Sequence, residues 1–484
     1  MKKTFYITLL GLLYLACNKN DIIVKNEVVP APRQLHYQEM ELIGFIHFTI
    51  NTFTDKEWGF GDESPALFNP RELDVEQWVI TAKETGIKEL ILTAKHHDGF
   101  CLWPSQYTEH SIKNSPYKNG QGDIIKEFTD ACQKHGIAAG LYLSPWDRNH
   151  ADYGKPEYIT YYRNQMTELL TNYGPISEFW VDGANGGTGY YGGANEERII
   201  DRKTYYDWDS TFQLAKKLQP DILIFSDAGP DIHWIGNEHG FAGETFWSTF
   251  HLDSVFIGTP NTAYLNTGDP QGTSWVVGQC DVSIRPGWFY HKNENTLVKS
   301  PQHLVDIYYK SVGRNAILLL NIPPDQRGLF HENDIQNLRE FRSILDETFQ
   351  TNLATAGKAS TGSLKSRTTK FIPDLILDKD NATFWIAKDS ARSAEIDIMF
   401  ENSIYFDRIS LQEPITYGQR IAKFIILADI NGEWREICRG TTVGYKRLLR
   451  IDPVTTSRVK IQILEANNAP ALSSFGLYKS SEKE

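Results

Sequence analysis

From about residue 36 the chain alternates short, unbroken apolar runs with longer stretches whose apolar residues recur at helical spacing. The runs Ile43–Phe48, Glu89–Ala94, Ile137–Leu143, Ile176–Asp182, Ile222–Ser226 and Ala316–Asn321 lack the polar alternation of a half-exposed strand. They read as strands buried on both faces, the pattern of a parallel sheet. Between them, Asp74–Thr85, Asp123–Lys134, Glu157–Asn172, Lys203–Leu218 and Pro301–Ser311 carry helical periodicity. Gly86, Gly136 and Gly174 stand just past three of these stretches, where helices commonly end in a left-handed residue.

Strand–helix alternation sustained over about 300 residues implies a parallel sheet covered by helices. Its length favours closure into a (β/α)8-like TIM barrel, placed at residues 30–348. Two strands are not legible between residues 240 and 285, so an irregular stretch is expected there. After Leu345 the texture changes. Glu395–Phe400, Arg408–Glu413, Ala422–Ala428 and Arg458–Leu464 read as short strands between turns, with little helical periodicity. Residues 349–484 are therefore expected to form an antiparallel β-sandwich, with linker and first loops in Thr351–Lys370.

The length of 484 residues agrees with two domains of unequal size. Aromatic residues make up 12% of the chain, with 12 Trp and 23 Tyr. Flat rings serve cores and also stack on the C–H faces of sugars, so this content tilts slightly toward carbohydrate. A net charge of -12 argues against a nucleic-acid partner, which would need a basic surface.

At the N-terminus, Lys2 and Lys3 precede the apolar run Phe5–Ala16, which is too short to span a bilayer comfortably. The run ends in Leu15-Ala16-Cys17, before the polar Asn18–Asp21. Residues 1–17 resemble a bacterial lipoprotein-type signal peptide, with Cys17 as the lipidated first residue of the mature chain. Export follows, to the periplasm or outer membrane of a Gram-negative bacterium, with membrane contact only through the anchor at Cys17. Cys101, Cys132, Cys280 and Cys438 are scattered without a CxxC pair and read as unpaired buried thiols.

In a (β/α) barrel the reactive groups lie at the C-terminal ends of the strands. Those ends supply His47 with the loop Glu57-Trp58-Gly59, then Lys95–Phe100 containing His96 and His97, then Leu102-Trp103-Pro104-Ser105. They continue with Tyr142, Trp146, the stretch Phe179–Gly183 containing Asp182, Trp234–Glu238, and Ser283–His291 containing Trp288. Singly, each has an ordinary explanation. An Asp at a strand end usually caps a helix or forms a turn. His96 and His97 would point to opposite sides if the strand continued, and no third metal ligand stands at motif spacing. No metal or cofactor is expected. Gathered at one rim, they acquire a purpose. Asp182 and a second carboxylate on a later loop supply the minimum for glycoside hydrolysis, one attacking the anomeric carbon and the other handling the proton. Histidines and a further Glu suit the gripping of sugar hydroxyls.

The runs IHFTINTF, EWG, KHHDGFCLWPS, FWVDGANG, WIGNEHG, SIRPGWFYH and LLLNIPPDQRG together resemble glycoside hydrolase family 29, the α-L-fucosidases, over roughly residues 36–345. The resemblance implies a retaining exo-α-L-fucosidase acting on fucosylated oligosaccharides or glycoconjugates, with Asp182 as nucleophile and Glu238 as general acid/base. It further implies that His47, Glu57, Trp58, His96, His97, Tyr142 and Trp288 hold the fucose ring, with Trp103 lining the same site. WIGNEHG resembles the subgroup acting on branched α-1,3/1,4-linked fucose. Gln279 departs from the Glu expected there, which bears on linkage preference if that carboxylate assists leaving-group recognition. Should Glu238 not carry the proton, Glu244 and Asp281 are next in line. The C-terminal segment resembles the galactose-binding, discoidin-like sandwiches.

Two other readings compete. A sugar-binding lipoprotein that has lost catalysis would lack one of the two carboxylates, and both are present. Another retaining barrel glycosidase, such as a galactosidase, is disfavoured by the histidine-rich rim through analogy alone.

Overall fold

The computed structural model describes residues 28–258, 261–362, 371–378, 380 and 382–484. The expected signal peptide and Cys17 lie outside the described residues. Eight parallel strands close into a barrel in sequential order. They are β1 (Leu42–Ile46), β2 (Glu89–Lys95), β3 (Ala138–Leu143), β4 (Glu178–Trp180), β5 (Leu223–Ser226), β6 (Ile232–Trp234), β7 (Val277–Ser283) and β8 (Ile317–Asn321). Closure is made by β8 pairing with β1, Leu42 opposite Leu318 and Phe45 opposite Asn321. Nearly every strand residue is buried, because the helices cover one face and packed side chains fill the other.

Some of the covering helices start where side-chain caps satisfy free backbone N–H groups. Asp74 accepts from Gln77 N at the start of α2 (Val75–Glu84), and Asp123 from Lys126 N at the start of α3 (Ile124–His135). The preceding α1 (Pro32–Met40) packs Tyr37 into the barrel's lower core. Next come α4 (Glu157–Asn172), α5 (Trp208–Leu218), α6 (Pro301–Lys310) and α7 (Glu332–Phe349). The fourth expected helix starts later than Lys203. Asp201 instead accepts from Lys203 N and Thr204 Oγ1, making a turn that delays α5 to Trp208.

The illegible stretch also resolves differently from expectation. β6 falls before residue 240, joined to β5 directly through Asp227–Asp231 with no helix between them, so the strand–helix alternation breaks there. Glu238 thus follows the sixth strand, not the fifth.

The second domain is a six-stranded antiparallel sheet with a two-stranded companion. Expected pairs of short strands are continuous: Glu395–Phe400 and Arg408–Glu413 belong largely to β10 (Ala394–Gln412), bent by register shifts around Met399–Ile404 and Phe406–Arg408. Its alternation is clear, with Ile396, Ile398 and Phe400 buried and Glu395 and Met399 turned outward. β9 (Lys358–Ser360) pairs with it, so part of the expected linker already belongs to the sheet, while residues 363–370 lie outside the described residues.

The two domains share polar contacts. Gln419 accepts from Ser248 N at 3.0 Å and donates to Phe246 O at 2.8 Å. Glu244 pairs with Arg314 of the barrel and Arg447 of the sheet. That places Glu244 in the interface, removed from the pocket described below.

Candidate active site

A cavity of about 520 Å³ opens at the C-terminal mouth of the barrel. Its walls hold His47, Glu57, Trp58, His96, His97, Asp182, Glu238 and Trp288, drawn together from the loops after β1, β2, β4, β6 and β7. A larger groove, of about 690 Å³, lies at the opposite end against Ile137, Ile176, Ile222 and Leu223, on the face that ordinarily serves barrel stability.

Asp182 stands two residues beyond β4. Its Oδ1 accepts from Ala184 N at 2.6 Å and its Oδ2 from the Tyr142 hydroxyl at 2.9 Å. Tyr142 is fully buried, so it reaches the site only through that hydroxyl. Gly183 has no room for a side chain: a Cβ there would lie 1.8 Å from Oδ2 of Asp227. Glu238 faces solvent across the pocket and accepts from Trp288 Nε1 at 3.2 Å.

Both adjacent histidines line the cavity, contrary to the alternation argument, because β2 ends at Lys95 before it can impose a pleat on them. Burial pushes the pKa of His47 and of His97 down to about 4 and that of His96 well below its usual value. All three are neutral near pH 7, and two tautomers follow from their partners. Ser144 gives its single hydroxyl hydrogen to Trp146 O, so it must accept from His97 Nδ1, 2.7 Å away. Asn321 donates its amide to Ser283 Oγ and Trp288 O, leaving its oxygen to accept from His47 Nδ1 at 2.8 Å. Each imidazole therefore carries its remaining lone pair on Nε2. That of His97 lies 3.9 Å from Asp182 Oδ2.

Two carboxyls not assigned to sugar binding from the sequence also line the pocket. Asp227 directly follows β5, and burial followed by the charge of Asp182 pushes it up to about 7. Asp281 accepts from Trp234 Nε1 at 2.8 Å; burial, then the charge of Glu238, raises it well above the usual carboxylate range. Asp227 was within reach of the strand-end rule, whereas Arg202 and Asn185, on the excursion after β4, carried no periodic signal.

Trp103 and Gln279 do not line the pocket. Trp103 is buried away from the cavity, its indole donating to Glu168 Oε2 on α4 at 2.9 Å. Gln279 sits inside the barrel below the pocket floor, accepting from Trp180 Nε1 and donating to Glu178 Oε1 and the Tyr37 hydroxyl. It cannot touch a leaving group from there. Among the described residues no group of three or more His, Cys, Asp or Glu is arranged to hold a metal ion.

Carboxyl groups lining one cleft together with neutral imidazoles and indoles suit a sugar ring more than an ionic substrate. Fold and site thus define a glycoside hydrolase built on a TIM barrel. The α-L-fucosidase family profile matches residues 32–347, and the F5/8 type C profile matches residues 357–475. Alpha-L-fucosidase 1 of Arabidopsis thaliana is 44% identical over 93% of this chain and 87% of its own length. A putative α-L-fucosidase structure from Bacteroides thetaiotaomicron superposes with a TM-score of 0.89 at 38% identity, covering 96% of this chain and 100% of that one. A Ruminococcus gnavus family 29 fucosidase in complex with fucose gives 0.85 at 35% identity, over 95% and 96%. The chain belongs to glycoside hydrolase family 29, the α-L-fucosidases.

Proposed function

We propose that the enzyme releases terminal fucose with retention of configuration, using Asp182 as nucleophile and Glu238 as acid/base. The observation that carries this reading is the placement of the two carboxylates. Asp182 is held at the barrel mouth by Tyr142 and Ala184, and Glu238 is held across the pocket by Trp288. In the first step an Asp182 oxygen bonds to the anomeric carbon while Glu238 gives its proton to the departing glycosidic oxygen. In the second step Glu238 takes a proton from water, which attacks the same carbon and displaces Asp182. Nε2 of His47 and of His97 offers lone pairs to sugar hydroxyls, and Trp58, about half exposed at 53%, offers a ring face at the rim.

The WIGNEHG stretch supports a preference for α-1,3/1,4-linked fucose on branched glycans over α-1,2-linked fucose. Incubation with a panel of linkage-defined fucosylated oligosaccharides, followed by NMR of the fresh product, tests both points. Release of the β-anomer first, or comparable kcat/KM on α-1,2 and α-1,3/1,4 linkages, would overturn the corresponding part. We propose also that Cys17 is lipidated after export, on the strength of the Lys2–Cys17 pattern. Cys17→Ser should then move the protein from the membrane to the soluble fraction, and unchanged membrane association would refute the anchor.

A further inference from the structure

We infer that His291, backed by Asp55, is a positioning residue that clamps the loop carrying Trp288 and thereby fixes Glu238; the inference rests on Glu238 being the acid/base. His291 Nδ1 lies 2.7 Å from Asp55 Oδ1 and its Nε2 lies 2.7 Å from Glu57 Oε1. Carboxylates accept and do not donate, so an imidazole bonded to two of them must carry hydrogen on both nitrogens. His291 is thus an imidazolium bridging two anions. Burial pushes its pKa down, but the bonds to Asp55 and Glu57, with the charges of Glu57 and Glu294, more than reverse this and raise it. Asp55 and Glu57 on the loop after β1, and Glu294 nearby in the chain, are the charged groups that face it.

The bridge acts on Glu57, which is heavily engaged with the protein. Its Oε2 accepts from Trp288 N at 2.9 Å, and its Oε1 accepts from Phe289 N at 3.2 Å as well as from His291. Three of its roughly four lone-pair sites are thus taken by the protein. The carboxylate ties the loop after β1 to the loop after β7. Gly287 makes the meeting possible, since a Cβ there would stand 2.6 Å from Glu57 Oε1 and 2.8 Å from the His291 ring. From the other side Asn321 donates to Trp288 O at 2.8 Å. The Trp288 backbone is therefore gripped at both its N–H and its carbonyl. Its indole nitrogen then projects to Glu238, which stands on a different loop and is otherwise open to solvent.

A loosened clamp should injure proton delivery more than sugar binding. The variants His291→Phe, His291→Gln and Asp55→Asn, the last on a side chain 73% exposed, would be assayed beside Glu238→Ala. Each would be given a fucosylated oligosaccharide and an aryl fucoside with an acidic phenol, across pH, with thermal melting as the folding control. His291→Phe is expected to lower kcat on the oligosaccharide by about 10–100-fold, the scale of a displaced catalytic group. The aryl fucoside should suffer much less, and KM should change little. His291→Gln should recover part of the loss. Asp55→Asn should move the alkaline limb of the oligosaccharide profile to lower pH, because the imidazolium loses one of its two anions. If Glu238→Ala discriminates between the substrates while the His291 variants slow both equally or neither, the clamp is overturned. If Glu238→Ala itself slows both equally, the acid/base reading falls and the inference falls with it.

Discussion

Tyr142 on the third strand donates its hydroxyl hydrogen to Oδ2 of Asp182, beyond the fourth strand, over 2.9 Å. The bond is buried on the tyrosine side, and it strengthens as Asp182 regains negative charge when water displaces the sugar. Tyr142→Phe should therefore slow the second step more than the first. A hydrogen bond to a charged group is worth about 1.5–3 kcal/mol, so kcat should fall roughly 10–100-fold. Stopped-flow assay with an aryl fucoside should show a phenol burst; an unchanged kcat without a burst would contradict the assignment.

Glu238→Ala should depend on the leaving group. A glycan leaving group needs a proton and should react very slowly, while an acidic phenol needs little help. Azide, which needs no general base, should then capture the fucosyl-enzyme and give a fucosyl azide of retained configuration. Uniform slowing with no azide product would shift attention to Asp281, which shares the pocket, and away from Glu244, which is engaged by Arg314 and Arg447 at the domain interface.

Asp227 makes a prediction about stability and pH. Burial and the Asp182 charge push its carboxyl up to about 7, against about 3.9 in an unfolded chain. The folded state holds this proton more tightly. Its contribution to stability is thus fully present below about pH 4 and lost as pH rises toward about 7. Asp227→Asn removes the ionisation, so its melting temperature relative to the parent should be higher at pH 8 than at pH 4. Differential scanning fluorimetry at both values decides this, and an equal difference at the two would contradict it.

Gln419 joins the second domain to residues 246–248 of the barrel through two buried hydrogen bonds. Gln419→Ala leaves Ser248 N and Phe246 O without those partners, at a cost of roughly 1–3 kcal/mol for each buried group left unsatisfied. Calorimetry should show a lower melting temperature for the barrel transition. An unaltered melt would mean that water replaces the side chain at no cost.

Much of the barrel was legible in sequence because a parallel strand buried on both faces leaves an unbroken apolar run. Ile43–Phe48 and Ala316–Asn321 needed no tertiary information to be recognised. The sixth strand escaped this logic. Ile232–Trp234 is too short to show a period, and no helix separates it from β5. Nor could alternation reveal that Glu395–Phe400 continues into Arg408–Glu413, since the register shifts within β10 reset the inward and outward faces.

By itself the sequence determined the order of strands and helices outside the sixth and seventh strands, the carboxylate at the end of the fourth strand, and the motif set shared with family 29. Those are local properties, written in residues close together in the chain. Only the tertiary structure decided which way side chains face once a strand has ended. It brought His96 and His97 into one cavity, sent Trp103 to Glu168, and placed Gln279 beneath the floor. It also joined Asp55, Glu57, Trp288 and His291, separated by more than two hundred residues. Such meetings depend on barrel closure and on the hydrogen-bond partners each buried polar group must find, and neither leaves a periodic trace along the chain.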